Sequence, residues 1–203
     1  MRAFIAIDLP QSVKQAIAQI QSRLRAALPP EARNSRDIRW ARPEGVHLTL
    51  KFLGEITEEQ ATMVTASLQS LPPPGTFRIE MKGFGFFPNK HRPRVLWLGV
   101  NAPATLGSLA AEIGAILEHQ GFAKEERPFT PHLTLARFGT PTPEPAIETA
   151  LRELHDVTLG WFDVSGYFLF ESVPAPGAPS FYRKVASFGR LDSSFTTFHR
   201  EVP

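Results

Sequence analysis

Two octets in this chain are near copies of each other. His47-Leu-Thr-Leu-Lys-Phe-Leu-Gly54 and His132-Leu-Thr-Leu-Ala-Arg-Phe-Gly139 agree at five of eight positions. Each is followed by a helical pattern and then by a strand with a shared tail: Phe77-x-Ile79 leads to Gly83-Phe84, and Phe162-x-Val164 leads to Gly166-Tyr167. Upstream, the strand and helix at 2–28 resemble those at 95–119. A repeated supersecondary unit must pack against its copy to bury its apolar side. The chain therefore reads as two pseudo-repeats, about 1–93 and 94–190, within one bilobal domain spanning 1–203. Strands and helices alternate at short intervals, which makes the class α+β, with an antiparallel sheet and helices in each half and a central cleft.

The local signals fill in the elements. An apolar strand at 2–8 runs into Asp8-Leu9-Pro10. Val13, Ile17, Ile20, Leu24 and Leu28 then keep helical spacing up to Pro29-Pro30. Thr57 followed by Gln60 opens a helix with a capping box, and Gly121 closes the helix expected at 104–120. Strands are expected at 38–41, 46–53, 77–81, 95–100, 132–138, 157–170 and 182–188, and a further helix at 145–154. Phe84–Asn89 reads as a loop carrying aromatic side chains, and Glu171–Ser180, with three prolines, as a loop at the rim of the cleft.

Alternation along a strand divides each octet between two faces. Leu48, Leu50 and Phe52 take one face, and Leu133 and Leu135 do the same in the second copy. His47 and Thr49 share the other, as do His132 and Thr134. A single His-x-Thr arises readily by chance. Two of them, at matching places in a duplicated unit, put two imidazoles and two hydroxyls around one ligand. Imidazole titrates near neutral pH, so one ring can act as acid while the other acts as base. Threonine hydroxyls donate to anionic oxygens. A phosphodiester fits this set, with water activated on one side and the departing oxygen protonated in line on the other. No Asp or Glu in either octet has metal-ligand spacing, so no metal and no cofactor are expected. The other four histidines, at 91, 119, 155 and 199, are given no catalytic role.

Four further residues are candidates for substrate contact. Arg137 offers a guanidinium fork for phosphate. Strict alternation puts it on the face opposite His132, so it reaches the site only if the strand twists or bulges. By the same parity Lys51 shares the face of His47. Phe87 and Tyr182 offer rings on which a base can stack. Net charge is +2, yet residues 1–94 hold 14 basic against 8 acidic side chains, a net +6. Arg23, Arg25, Arg33, Arg36, Arg39 and Arg42 contribute to it, and such a half suits a phosphate-rich partner. The chain has no cysteine, which removes disulfides, thiolate metal sites and thiol nucleophiles. No apolar run reaches the length of a membrane span.

These features are similar to the 2H phosphoesterase family, in its RNA 2′,3′-cyclic phosphodiesterase branch, also called 2′-5′ RNA ligase. The segments at 2–8, 46–54, 92–100 and 131–137 carry the resemblance. It implies a bilobal α+β fold and metal-independent hydrolysis of an RNA terminal 2′,3′-cyclic phosphate to a 2′-phosphate, with reversible 2′-5′ ligation as a further capacity. It also implies His47 as proton donor, His132 as proton acceptor, and Thr49 and Thr134 as phosphate binders. A cytoplasmic monomer acting on RNA ends or small cyclic nucleotides, with no membrane partner, is the expectation. A non-catalytic RNA-end-binding protein and a metal-dependent phosphohydrolase are the alternatives.

Overall fold

The computed structural model describes residues 1–33, 37–139, 147, 149, 151–152, 158–175 and 178–190. Nine strands and four α-helices occur among them, in the order β1 (Arg2–Asp8), α1 (Gln11–Ala27), α2 (Pro30–Arg33), β2 (Ile38–Trp40), β3 (His47–Glu55), α3 (Glu58–Gln69), β4 (Phe77–Phe87), β5 (Val95–Asn101), α4 (Ala104–His119), β6 (His132–Phe138), β7 (Thr158–Val164), β8 (Gly166–Ala175) and β9 (Ala178–Gly189). A short 3₁₀ turn, Pro43–Gly45, precedes β3.

The strands form two antiparallel sheets. Sheet A has the order β3-β1-β8-β9, and sheet B the order β2-β6-β5-β4-β7. The two sequence repeats do not map one to each sheet. β4, the last strand of the first repeat, pairs with β5 of the second, and β8 of the second pairs with β1 of the first. The halves are thus stitched together by exchange of their final strands. One apolar cluster runs through both, including Ile5, Ile7, Leu48 and Leu50 of sheet A, Leu96, Leu98, Leu133 and Leu135 of sheet B, and Val13, Ile17 and Leu24 of α1.

Local chemistry explains most element ends. Thr57 caps α3 by accepting from the Gln60 amide, and the Gln60 side chain accepts from the Thr57 amide. Gly121 has φ +87° just beyond α4, a conformation few other residues adopt. Two expected loops are strands. Phe84–Phe87 continues β4, where Phe84 and Phe86 pack on the core. Most of Glu171–Ser180 belongs to the β8–β9 hairpin, because Glu171 to Val173 pair with Phe181 to Arg183 across it. Proline is tolerated there because Pro174 sits at an irregularity of that ladder, the register skipping from Val173 to Ala175. The expected strand 157–170 divides at Ser165, its first part joining sheet B and its second sheet A. The helix expected at 145–154 lies largely outside the described residues.

Candidate active site

β3 and β6 carry the two octets, and they meet where the sheets approach each other. Each strand has a bulge at the same place in the octet. On β3, Ile5 pairs with Lys51 and Ala6 with Thr49, so Leu50 is the extra residue. On β6, Leu96 pairs with Ala136 and Trp97 with Thr134, so Leu135 is extra. A bulge reverses the parity of everything after it. His47 and Thr49 therefore share one face with Phe52, and His132 and Thr134 share one with Arg137.

The bulge decides two of the expected contacts in opposite ways. Arg137 comes round to the face of His132 and stands exposed on it. Lys51 is turned away from the site, and the parity reading that placed it beside His47 is wrong. It lies on the core side opposite Ile5, is 2% exposed, and donates from Nζ to the Ala123 carbonyl at 2.6 Å. Its role there is to fasten the segment leading into β6. The side chain that does face the site is Phe52, 58% exposed. The repeat held that signal, since Phe52 and Arg137 are both sixth in their octets.

The β6 bulge has its own support. The Leu135 carbonyl accepts from the Ala41 amide at 2.8 Å and from Gln21 Nε2 at 2.9 Å, and Gln21 also donates to the Ala41 carbonyl. Gln21 is one of two buried polar residues among those described, the other being Lys51. A buried carbonyl needs such a donor. Nothing in the helical periodicity of α1 marked Gln21 out.

The two imidazoles are oriented alike. His47 Nδ1 is 2.7 Å from the Gly45 carbonyl, and His132 Nδ1 is 2.7 Å from the Thr130 carbonyl. A carbonyl only accepts, so Nδ1 carries hydrogen in both rings and Nε2 is the atom left for proton transfer. The rings are braced by different neighbours. His47 stacks on Phe4, centroids 4.4 Å apart, and meets Tyr182 edge-on at 5.0 Å. His132 meets Phe87 edge-on at 4.9 Å, with Trp97 at 6.5 Å. Trp97 lies flat across Gly85, where any Cβ would collide with the indole.

Charge around His47 comes from both sheets. Asp8, its partner across β1, accepts from Lys14 at 2.7 Å and pairs with Lys184 at 2.5 Å. Burial alone would raise the Asp8 pKa, but the two lysines outweigh it and hold the carboxyl below its ordinary value. His47 is pushed down to about 4, chiefly by burial and further by the charges of Lys14 and Arg137. The Gly45 hydrogen bond and Asp8 oppose the shift. The effect of Arg137, from β6, on a ring in β3 ties the two copies into one electrostatic site. His119 bonds the Ala115 carbonyl in α4 and His91 is exposed in a loop, while positions 155 and 199 lie outside the described residues. Among the described residues, no group of three His, Asp or Glu side chains is placed to hold a metal ion, and no helix is long and apolar enough to cross a membrane.

Comparison with known proteins gives consistent matches. The family model "LigT like Phosphoesterase" matches twice, over residues 7–97 and 98–179, dividing the chain close to the sequence repeat. An RNA 2′,3′-cyclic phosphodiesterase of Aeropyrum pernix is 39% identical over 153 residues, covering 73% of this chain and 86% of that protein. A protein of the same name from Methanothermobacter thermautotrophicus is 32% identical over 88% of this chain and 94% of its own. The crystal structure of E. coli LigT complexed with 3′-AMP superposes with a TM-score of 0.72 at 26% identity, covering 94% of this chain and 98% of that one.

Proposed function

This chain belongs to the LigT-like phosphoesterase family, and from that premise we propose that it is a hydrolase opening RNA-terminal 2′,3′-cyclic phosphates to 2′-phosphates, with His47 and His132 as its acid–base pair. The observation that carries the reading is the duplicated imidazole: the same Nδ1-to-carbonyl clamp, in both sheets, beside the same threonine. The curated relatives that share most of this chain's length are named for the same reaction.

In this mechanism the neutral Nε2 of His132 takes a proton from water as the water oxygen attacks phosphorus. The bond from phosphorus to the ribose 3′-oxygen breaks, and Nε2–H of His47 protonates that oxygen. The product is a 2′-phosphate with a free 3′-hydroxyl. Thr49 and Thr134 donate to the non-bridging oxygens, and Arg137 offsets their charge. The low pKa of His47 means that its acid form is made on binding. The bound anion favours the imidazolium, so substrate and proton arrive together. Phe52, Phe87 and Tyr182 stand where rings can meet the nucleoside. One chain supplies both imidazoles, which supports a monomer, and RNA ends as substrate support a cytoplasmic enzyme.

The test is direct. An oligoribonucleotide ending in a 2′,3′-cyclic phosphate is incubated with the protein and EDTA, and the product is identified by ³¹P NMR. A 2′-phosphate is expected. Binding without turnover would favour an RNA-end-binding protein, and turnover that EDTA abolishes would favour a metal-dependent phosphohydrolase.

A further inference from the structure

Four arginines of the basic first half have an intramolecular task. Arg25 lies over the Trp40 ring at 5.1 Å. Arg33 donates to the Ala26 and Leu28 carbonyls at the end of α1. Arg78 packs over Trp161 and pairs with Asp163. Arg94 donates to the Gly139 carbonyl at 2.6 Å. Arg39 is different. It is exposed, and among the described residues it makes no ion pair or side-chain hydrogen bond.

The register fixes where Arg39 stands. β2 pairs with β6 so that Ile38 meets Phe138, Arg39 meets Arg137 and Trp40 meets Ala136. Ile38 and Trp40 pack on the core, which leaves Arg39 on the face of His132, Thr134 and Arg137. Across sheet B, Phe87, Val95, Arg137 and Arg39 form one row of facing residues. Two like charges directly opposite each other destabilise a sheet, and no carboxylate among the described residues bonds either guanidinium. An anion between or beside them relieves that repulsion. The row ends at β2, the sheet edge, so Arg39 is open to solvent on its outer side.

We propose that Arg39 forms a second anion subsite, which takes the phosphodiester one nucleotide 5′ of the terminal cyclic phosphate. Strand rise and spacing put its Cα about 10 Å from that of Thr134, a span suited to the phosphate next along the chain. The inference rests on the cyclic phosphodiesterase reading and adds to it: it makes Arg39 the residue by which the enzyme prefers an RNA chain to a mononucleotide. It also names one side chain of the basic half that the sheet register turns toward the face of His132.

The experiment compares three substrates: adenosine 2′,3′-cyclic phosphate, the same compound carrying a 5′-phosphate, and a diadenylate ending in 2′,3′-cyclic phosphate. Steady-state constants are measured for wild type, Arg39→Gln and Arg39→Lys, with thermal melting as the folding control. Arg39→Gln should raise KM for the 5′-phosphorylated compound and the dinucleotide about tenfold more than for the unphosphorylated compound, with kcat changing little for any of them. Arg39→Lys should recover most of that loss, because a point charge suffices for an exposed phosphate. The salt dependence of kcat/KM for the dinucleotide should become shallower by roughly 0.7–1 in logarithmic slope. Equal changes for all three substrates, or none, would overturn the subsite, and so would an effect on the dinucleotide alone, which would point to the second nucleoside instead of the phosphate. In each of those cases wild-type turnover still upholds the phosphodiesterase reading. A wild-type protein that opens none of the three overturns both.

Discussion

β3 and β6 begin alike and end differently. Both carry His-Leu-Thr-Leu, both bulge at the fourth residue, and both hold the imidazole by a carbonyl two positions earlier. After the bulge they diverge. β3 sends Lys51 inward and Phe52 outward, whereas β6 sends Ala136 inward and Arg137 outward. In the proposed mechanism the identical part supplies what the two ends of an in-line displacement share, a positioned ring nitrogen and a hydroxyl. The divergent part supplies what they do not share, an aromatic surface on one side and a fixed positive charge on the other. Two octets that differ at three of eight positions thus give a repeated scaffold a site with unlike halves.

The largest effects test the shared part. His47→Ala and His132→Ala should each lower kcat by at least about 10²-fold, with circular dichroism unchanged. A variant near wild-type rate would remove that ring from the chemistry and break the equivalence of the strands. Next come the groups on the anion. Thr49→Val, Thr134→Val and Arg137→Ala each remove a charge-assisted hydrogen bond of about 1.5–3 kcal/mol, or roughly 10- to 150-fold in kcat/KM. Phe52→Ala, the positional counterpart of Arg137→Ala, should cost less. If it costs as much in kcat, the aromatic side is part of the chemistry and not only of binding.

The two buried polar tethers should separate stability from activity. Gln21→Leu leaves the buried Leu135 carbonyl short of a donor, and Lys51→Met releases the segment at Ala123 from β3; each should cost about 1–3 kcal/mol of stability, read as a lower Tm. Gln21→Leu loosens the bulge that aims Arg137, so KM should rise several-fold. Lys51→Met should leave KM near wild type, and a KM loss matching that of Arg137→Ala would return Lys51 to the substrate. A separate effect is on acid stability. His47 has its folded pKa lowered from 6.5 to about 4, so between those values the unfolded chain binds more protons and stability falls as pH falls. Asp8 contributes only below its ordinary value of 3.8, outside that window. Melting between pH 7 and 4.5 should therefore show a shallower fall for His47→Gln than for wild type. Parallel curves would mean that burial does not depress His47.

The sequence made the repeat, the paired His-x-Thr faces and most elements legible, because periodicity of two or 3.6 survives in Leu48/Leu50, Leu133/Leu135 and the apolar stripe of α1. It did not make Lys51, Arg137 or Phe52 legible in the same way. A bulge changes parity without leaving a glycine or proline to mark it, and the bulge on β6 is supported by Gln21, 114 residues away. The sheet exchange was hidden for a similar reason. Whether β4 pairs with β5 or β8 with β1 depends on long-range register, while the strand pattern itself reads the same. Asp8, Phe4 and Arg39 join the site only through their cross-strand partners.

The two rings divide the labour in the proposed mechanism, with His132 as base and His47 as acid. This division can be tested with a cyclic phosphate whose 3′-oxygen is replaced by sulfur, since a thiolate leaves without protonation. Comparing kcat for the oxygen and sulfur substrates in each variant, we expect His47→Ala to recover most of its lost rate on the sulfur substrate and His132→Ala to recover none. Recovery by His132→Ala instead, or equal loss in both variants on both substrates, would contradict the assignment.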